Sequence, residues 1–350
     1  MEQRIGAALD ALPDAGVSTA QPKISAVVAA LNEERHITAC IEGLLAQRDV
    51  GGPIEILVVD GGSSDRTVAV VRALPGYGSR IHLLQNPRRL QVYAWNIGWR
   101  AARGEFVGLI SAHAQYAPDY FQRCLEVAER TGAANVGGVQ RPIGEGPLGT
   151  ALAWAMASPL AMGNATFRYT TREQDVDSVF GGFFRREFLA VAGGYDETNH
   201  FDEDGEINYR LRKAGHRIVV SPAIVNHYRV RNSFASLARQ MYRYGFWRPR
   251  TLQQHPGAVP LRVFAPPALV AGLALALPLA CTKRGRLALA LPASYLAFLA
   301  LASCKALRST RSPGAALSIP AVLATMHIAY GIGFWIGLVR HNRADASRTS

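Results

Sequence analysis

Three stretches in the last third of the chain contain no Asp, Glu, Lys or Arg: Val263 to Thr282, Leu287 to Cys304 and Ser312 to Val339. A helix rising about 1.5 Å per residue needs roughly this length to cross a hydrocarbon core of about 30 Å. The collars are basic, with Arg262, then Lys283, Arg284 and Arg286, then Lys305, Arg308 and Arg311, then Arg340 and Arg343. A buried all-helical core is the other structure such runs can build, but three in succession with charged collars point to membrane helices. Pro266, Pro267, Pro278, Pro292 and Pro320 do not overturn this, because proline is commoner in membrane helices than in soluble ones. The fold of the remaining chain must therefore be sought before about residue 259.

Charge divides the chain in the same way. Positions 1–206 hold 18 basic and 25 acidic residues, whereas positions 207–350 hold 20 basic and 1 acidic, Asp345. A basic region of this kind suits nucleic acid or an anionic membrane surface. The apolar runs decide for the membrane, and no nucleic-acid partner is expected. Residues 1–22 include Glu2, Asp10 and Asp14 and lack an apolar core, so they read as a mobile leader rather than a signal peptide. Cys40, Cys124, Cys281 and Cys304 show no metal or redox spacing, which suits a reducing compartment.

The acidic half alternates strand and helix. KISAVVAAL, IEILVVD, IHLLQN and EFVGLI are apolar runs without alternation, and helical patterns follow the first three. Such runs indicate a parallel sheet covered on both faces, an α/β fold whose ligand sits beyond the carboxyl ends of the strands. Asn32, Asp60 and Ser111 are those ends. The turn after the second strand reads DGGSSD, not the spaced glycines that cradle a pyrophosphate, so a dinucleotide-binding enzyme is disfavoured.

The segments AALNEE, VVDGGSSDRT, NIGWRAARGEF, SAHA, GGFFRREFLAVAGGYDE, FDEDGEINYRLRKAG and QMYRYG occur in this order between Lys23 and Arg250. Together they resemble family 2 glycosyltransferases of GT-A fold, most of all the membrane-attached succinoglycan-biosynthesis type. The resemblance implies a mostly parallel sheet flanked by helices, followed by C-terminal transmembrane helices. It divides the chain into the leader, a catalytic domain over 23–232, an interfacial amphipathic segment over 233–258, about three transmembrane helices over 259–340 and a tail over 341–350.

The implied reaction is inverting transfer of a sugar from a nucleotide-diphosphate sugar, foremost a UDP-sugar, to a lipid-linked glycan in cell-surface or extracellular polysaccharide synthesis. The catalytic domain would face the cytoplasm from an inner or plasma membrane. By resemblance, Ala30, Asn32, Glu33, Asp60, Arg88, Ser111 and Ala112 take the nucleotide. Asp60 either meets the ligand or orders the turn after it, and Arg88 and Arg89 either approach the diphosphate or stay solvated; Ser63 and Asp65 read as helix-capping groups. Asn96 and Gly98 are expected in the pocket or in packing, and Trp95 and Trp99 in the core.

On the acceptor side the resemblance points to Asp204 as the base with Glu203 in support, although Asp202, Glu203, Asp204 and Glu206 also suit the acidic first turn of a helix. Gly181 and Gly182 would allow close backbone approach to the sugars. Gln240 and Arg243 fall where the family's polysaccharide synthases carry Gln-x-x-Arg-Trp, and they would contact acceptor or leaving diphosphate. Tyr244 stands in place of that Trp, which weakens a processive polymerase reading. The family's metal-binding strand end carries two aspartates; here those positions are Ser111 and His113. His113 remains as a ligand, and imidazole favours Mn²⁺ over Mg²⁺. A degenerate, non-catalytic binding protein is the alternative that Ser111 supports.

Overall fold

The computed structural model describes residues 21–163, 165–230, 233–280, 282 and 285–346. The expected leader up to residue 20, the collar residues Lys283 and Arg284, Cys281 and the tail beyond 346 with Arg348 lie outside the described residues. Two compact units emerge. The first runs to Gln140 and resumes over Thr170–Tyr228; the second holds Arg141–Tyr169 and continues from Arg229.

In the first unit β1 (Ile24–Ala30), α1 (Ile37–Leu45), β2 (Ile54–Asp60), α2 (Thr67–Ala73), β3 (Ile81–Gln85), α3 (Gln91–Ala101) and β4 (Phe106–Ser111) alternate. β5 (Gln115–Tyr116), α4 (Tyr120–Thr131) and β6 (Asn135–Ile143) follow. The chain then passes through α5 (Gly146–Met156) and α6 (Pro159–Met162) of the second unit. It returns as β7 (Gln174–Asp175), β8 (Phe183–Arg185), α7 (Arg186–Val191), α8 (Glu203–Lys213) and β9 (Ile218–Arg229).

The strands form one nine-stranded sheet in the order β3-β2-β1-β4-β8-β6-β9-β5, with β7 paired to β9. β3, β2, β1 and β4 are mutually parallel, as unbroken apolar runs require when both faces are covered. All seven residues of β2 are buried. Beyond β4 the pairings of β8 with β4 and β6, and of β9 with β5 and β7, are antiparallel, so the sheet as a whole is mixed. Register places Ala30 opposite Asp60, Asp60 opposite Gln85, and Ala29 opposite Ser111, so the expected donor residues share one carboxyl edge. Gly98 lets α3 sit directly on β1, since a Cβ there would lie 2.1 Å from Val27 Cγ1. Trp95 is buried, as expected of a core residue. At the opposite edge of the sheet the buried Glu55 accepts hydrogen bonds from Ser25 Oγ (2.5 Å) and from the Arg103 backbone (2.7 Å) and Nε (2.9 Å), which satisfies an otherwise costly buried charge.

The second unit is helical: α5, α6, α9 (Phe234–Gln254), α10 (Ala265–Ala280), α11 (Gly285–Ala288), α12 (Ala290–Thr310) and α13 (Pro313–Ala346). Among the described residues three segments are long and apolar enough to cross a membrane: Leu261–Ala280, Ala290–Thr310 and Pro313–Asn342. Leu275, Leu279, Leu296, Leu301 and Leu317 are exposed, as lipid-facing positions would be.

Helix α9, expected in the membrane interface, uses part of its apolar stripe on α13. Leu237 and Met241 are buried in a cluster with Ile319, Val322, Leu323 and Met326, and Leu152 of α5 joins them. Farther along, the two helices touch backbone to backbone. A Cβ at Gly245, Gly333 or Gly337 would fall 2.0, 2.3 or 2.1 Å from the carbonyl oxygen of Tyr330, Tyr242 or Phe246. Small residues permit such approach between membrane helices. Arg239 and Arg243 remain exposed on α9.

Candidate active site

Two loops leave the carboxyl edge of β1 and β2 and are bonded to each other. Asn32, at φ +58, receives Ser63 Oγ on its backbone side (its N–H donates at 2.9 Å) and accepts from the Ser64 N–H through Oδ1 at 2.8 Å. The Glu33 N–H donates to Thr67 Oγ1 at 2.8 Å, the Glu34 N–H to Asp65 at 3.2 Å, and the Arg66 N–H to Glu34 at 3.0 Å. Asp65 also accepts from the Thr67 N–H at 2.9 Å and so helps start α2. Asp60, buried, accepts from the Gly62 N–H (3.0 Å), the Ser63 N–H (3.2 Å) and Ser63 Oγ (2.6 Å). Its carboxylate orders the turn that follows it, the second of the two roles the sequence left open. Beside this turn, Gly61, Gly62, Gln85, Asn86, Pro87 and Arg89 line an open recess of about 350 Å³.

Arg88 is occupied. Its guanidinium donates to Glu197 at 3.0 Å and lies 4.7 Å from the Tyr93 ring centre. Glu197 also accepts from Asn96 Nδ2 at 3.0 Å, and Asn96 grips the Tyr195 backbone through both its amide atoms at 2.9 Å. Asn96 therefore joins α3 to the 195–197 loop and is a packing residue.

At the end of β4, Ala112 is buried and His113 is exposed. His113 Nδ1 lies 3.2 Å from Glu33 Oε1, and Ser111 Oγ lies 3.2 Å from His113 Nε2. Glu33 Oε2 meets His36 Nδ1 at 3.0 Å. Burial works against the charge of Glu33, but the hydrogen bonds from His113 and His36 outweigh it and hold the carboxyl below its ordinary value. The Ser111 N–H donates to the hydroxyl of the half-buried Tyr116 at 2.9 Å, which fixes the strand end. Among the described residues no three His, Cys, Asp or Glu side chains form a group able to hold a metal by themselves. Glu33 and His113 fit a cation that takes its other ligands from a diphosphate and water, because they offer one carboxylate and one imidazole in contact, with the Ser111 hydroxyl beside the ring.

The acidic cluster resolves into separate roles. Asp202 precedes α8, and its backbone carbonyl accepts from the Glu206 N–H at 3.0 Å. Glu206 is buried and paired with Arg210 Nε at 2.5 Å and Nη2 at 2.6 Å; that arginine also donates to the carbonyls of Ala192 and Gly194. Asp204 Oδ2 accepts from the Gly181 N–H at 3.2 Å. Glu203 and Asp204 are both half-buried, with protein around their carboxyl groups. That enclosure raises the Asp204 carboxyl to about 7, with the Gly181 N–H opposing and the charge of Asp202 adding. Enclosure and the neighbouring Asp204 hold Glu203 well above the carboxylate range. Both carboxyls of the pair are thus held above the ordinary carboxylate range.

The Gly181–Gly182 turn is clamped onto α8 by residues that sequence reasoning missed. Asn135, fully buried, accepts from the Phe183 N–H at 3.0 Å and donates to Asn208 Oδ1 at 2.8 Å, and Asn208 donates to Ser178 Oγ at 3.1 Å. Asn208 lies one helical turn after Asp204, a spacing that could have flagged it. Tyr195 was also missed; its hydroxyl is buried near Asp204 and meets no hydrogen-bond partner among the described residues. Gln240 and Arg243 belong to α9 of the second unit, where Gln240 Nε2 donates to the Tyr244 hydroxyl at 3.2 Å.

The parallel-to-antiparallel sheet is that of the GT-A fold. A mannosyltransferase from Pyrobaculum calidifontis, solved with GDP-Man and Mn²⁺, shares this fold with a TM-score of 0.56 over 96% of this chain and 93% of its own, at 22% identity. The model of the glycosyl transferase family 2 matches residues 25–191. The succinoglycan biosynthesis protein ExoA of Rhizobium meliloti (strain 1021) is 32% identical over 330 residues, which cover 91% of this chain and 96% of the relative. A dolichyl N-acetylglucosaminyl phosphate glucuronosyltransferase of Methanococcus voltae is 29% identical over 63% of this chain and 71% of its own length. The chain belongs to the family 2 glycosyltransferases, and it is a glycosyltransferase.

Proposed function

We propose that this enzyme transfers a sugar, with inversion, from a nucleotide-diphosphate sugar to a lipid-linked glycan during cell-surface or extracellular polysaccharide synthesis. A UDP-sugar is the first donor to test and a GDP-sugar the second, since the solved mannosyltransferase held GDP-Man. Support for the pathway comes from the succinoglycan relative, and support for a lipid-linked acceptor from the relative named for a dolichyl phosphate. The catalytic domain faces the cytoplasm, anchored by the three apolar helices in an inner or plasma membrane, with α9 at the interface.

One observation carries the reading: Asp204 sits against the Gly181 N–H at the start of α8, with its carboxyl raised above the ordinary range by its surroundings. In the proposed step the acceptor hydroxyl oxygen bonds to the anomeric carbon while the bond from that carbon to the diphosphate oxygen breaks. The hydroxyl proton passes to Asp204, and the nucleoside diphosphate departs with the bonding electron pair. Glu203, raised together with it, supports the base from the neighbouring position. Ala30, Asn32, Glu33, Asp60, Ser111 and Ala112 form the donor edge. Arg88 would have to leave Glu197 to reach a diphosphate, and Gln240 and Arg243 are kept as acceptor or diphosphate contacts. His113 would hold a divalent cation, Mn²⁺ ahead of Mg²⁺. Such a cation, when bound, supplies positive charge to the leaving diphosphate.

Membranes containing the enzyme, incubated with labelled UDP- and GDP-sugars and extracted lipid acceptors, test the reading. Label should pass from one donor into the lipid fraction. Label that remains in the nucleotide pool with every donor and acceptor, while nucleotide still binds, would instead mark a non-catalytic binding protein.

A further inference from the structure

The structure assigns to Glu33 the carboxylate that the strand end at 111–113 lacks: Glu33 Oε1 and His113 Nδ1 form one bidentate site for a divalent cation, with Ser111 and His36 holding the two ligands in place. This rests on the transferase reading and names the ligands of its cation site.

The separation of the two atoms supports it. Ligands at right angles on an octahedral shell, each about 2.1 Å from the ion, lie about 3.0 Å apart. Glu33 Oε1 and His113 Nδ1 stand 3.2 Å apart, so a cation replacing the hydrogen bond between them asks for little movement. The outer contacts support it as well. A metal-bound imidazole ordinarily donates its other ring N–H to a fixed acceptor, and a ligating carboxylate is itself hydrogen-bonded. Ser111 Oγ lies 3.2 Å from His113 Nε2 and 3.5 Å from Nδ1, so it packs against the ring and limits its rotation. The second Glu33 oxygen meets His36 at 3.0 Å, and the Glu33 backbone is tied to Thr67 at 2.8 Å. Two protein ligands leave the remaining positions for phosphate oxygens and water, in keeping with the absence of a three-residue group among the described residues.

The test is Mn²⁺ binding by the full-length protein in detergent with UDP or GDP present, read from the loss of the free-ion electron paramagnetic resonance signal. Wild type should bind about one Mn²⁺, and Glu33→Gln, which keeps the shape and the backbone tie, should weaken binding at least tenfold, as should His113→Ala. His36→Ala should cost on the order of 10-fold or more, the scale for outer-shell partners. Glu33→Asp, which keeps the charge but withdraws the oxygens, controls for general electrostatics and should also bind more weakly than wild type. Wild-type Mn²⁺ affinity in Glu33→Gln overturns the assignment, and so does the failure of wild type to bind Mn²⁺ under any of these conditions. Because no transfer is measured, a failed transfer assay with intact, Glu33-dependent Mn²⁺ binding would count against the transferase reading alone.

Discussion

Replacing Gly182 by Ala tests whether the turn under Asp204 is held as tightly as its contacts indicate. Gly182 has φ +111, and side chains there cost about 1–3 kcal/mol in backbone strain. The added Cβ would lie 2.5 Å from Asn135 Oδ1 and 2.8 Å from Phe184 Cε2, so the buried amide must move. Displacing it leaves the Phe183 N–H or the Asn208 amide without its partner, at a further cost of about 1–3 kcal/mol. The expected total is about 2–6 kcal/mol. At about 2–4 °C per kcal/mol for a domain of this size, the melting temperature falls by at least about 4 °C. Gly132→Ala is the internal comparison. Gly132 also has positive φ, +64, but no heavy atom lies within 4 Å of its built Cβ, so only the backbone cost of about 1–2 kcal/mol applies. Thermal unfolding by circular dichroism of both full-length variants in one detergent, with turnover measured alongside, gives the answer. A Gly182→Ala protein that melts no lower than Gly132→Ala and turns over like wild type would refute the clamp and its role in placing Asp204.

Other expectations follow from the same contacts. Asp204→Asn should keep nucleotide binding and lower turnover by a factor on the order of 100 or more, measured under saturating donor. In the wild type, turnover should climb as pH rises through about 7 and then level, because the base must be ionised, and titration of kcat against pH checks this. The folded protein holds this proton to about 7 while the unfolded carboxyl loses it near the ordinary value of about 4, so Asp204 makes stability fall as pH rises across that window. Asp204→Asn should flatten that slope in a series of urea melts. Arg210→Met should strand the buried Glu206 charge and cost about 3–5 kcal/mol, with much of the loss recovered when Glu206→Leu is added; equal melting of the single and double variants would argue against the pair.

The parallel half of the sheet was readable because β1, β2 and β4 are uninterrupted apolar runs whose last residues fall on one edge. The antiparallel half was not, since β5, β7 and β8 are two or three residues long and show no period. Asp204 was found through its motif, but its surroundings depend on Asn135 and Asn208, 73 positions apart, a contact that no local pattern records. Arg88 looked available in the sequence because its partner Glu197 lies 109 positions away. The attachment of Arg141–Tyr169 to the helical unit was equally hidden: α5 is apolar on most sides, and its burial against residues of α13 comes from distant sequence. His113 was recognised from its place at a strand end, whereas Glu33 as its partner became visible only when β1 and β4 were set side by side.

The reciprocal bonds between Asn32–Glu34 and Ser63–Thr67 have a thermodynamic consequence. Ordering a flexible backbone costs about 1–2 kcal/mol per residue, and a ligand that must immobilise a loop meets that cost from its own contact energy. Here six hydrogen bonds already join the two loops across more than thirty positions of sequence. The chain has met the ordering cost during folding. A donor arriving at this edge encounters a rigid jaw, so its affinity reflects contact rather than loop closure.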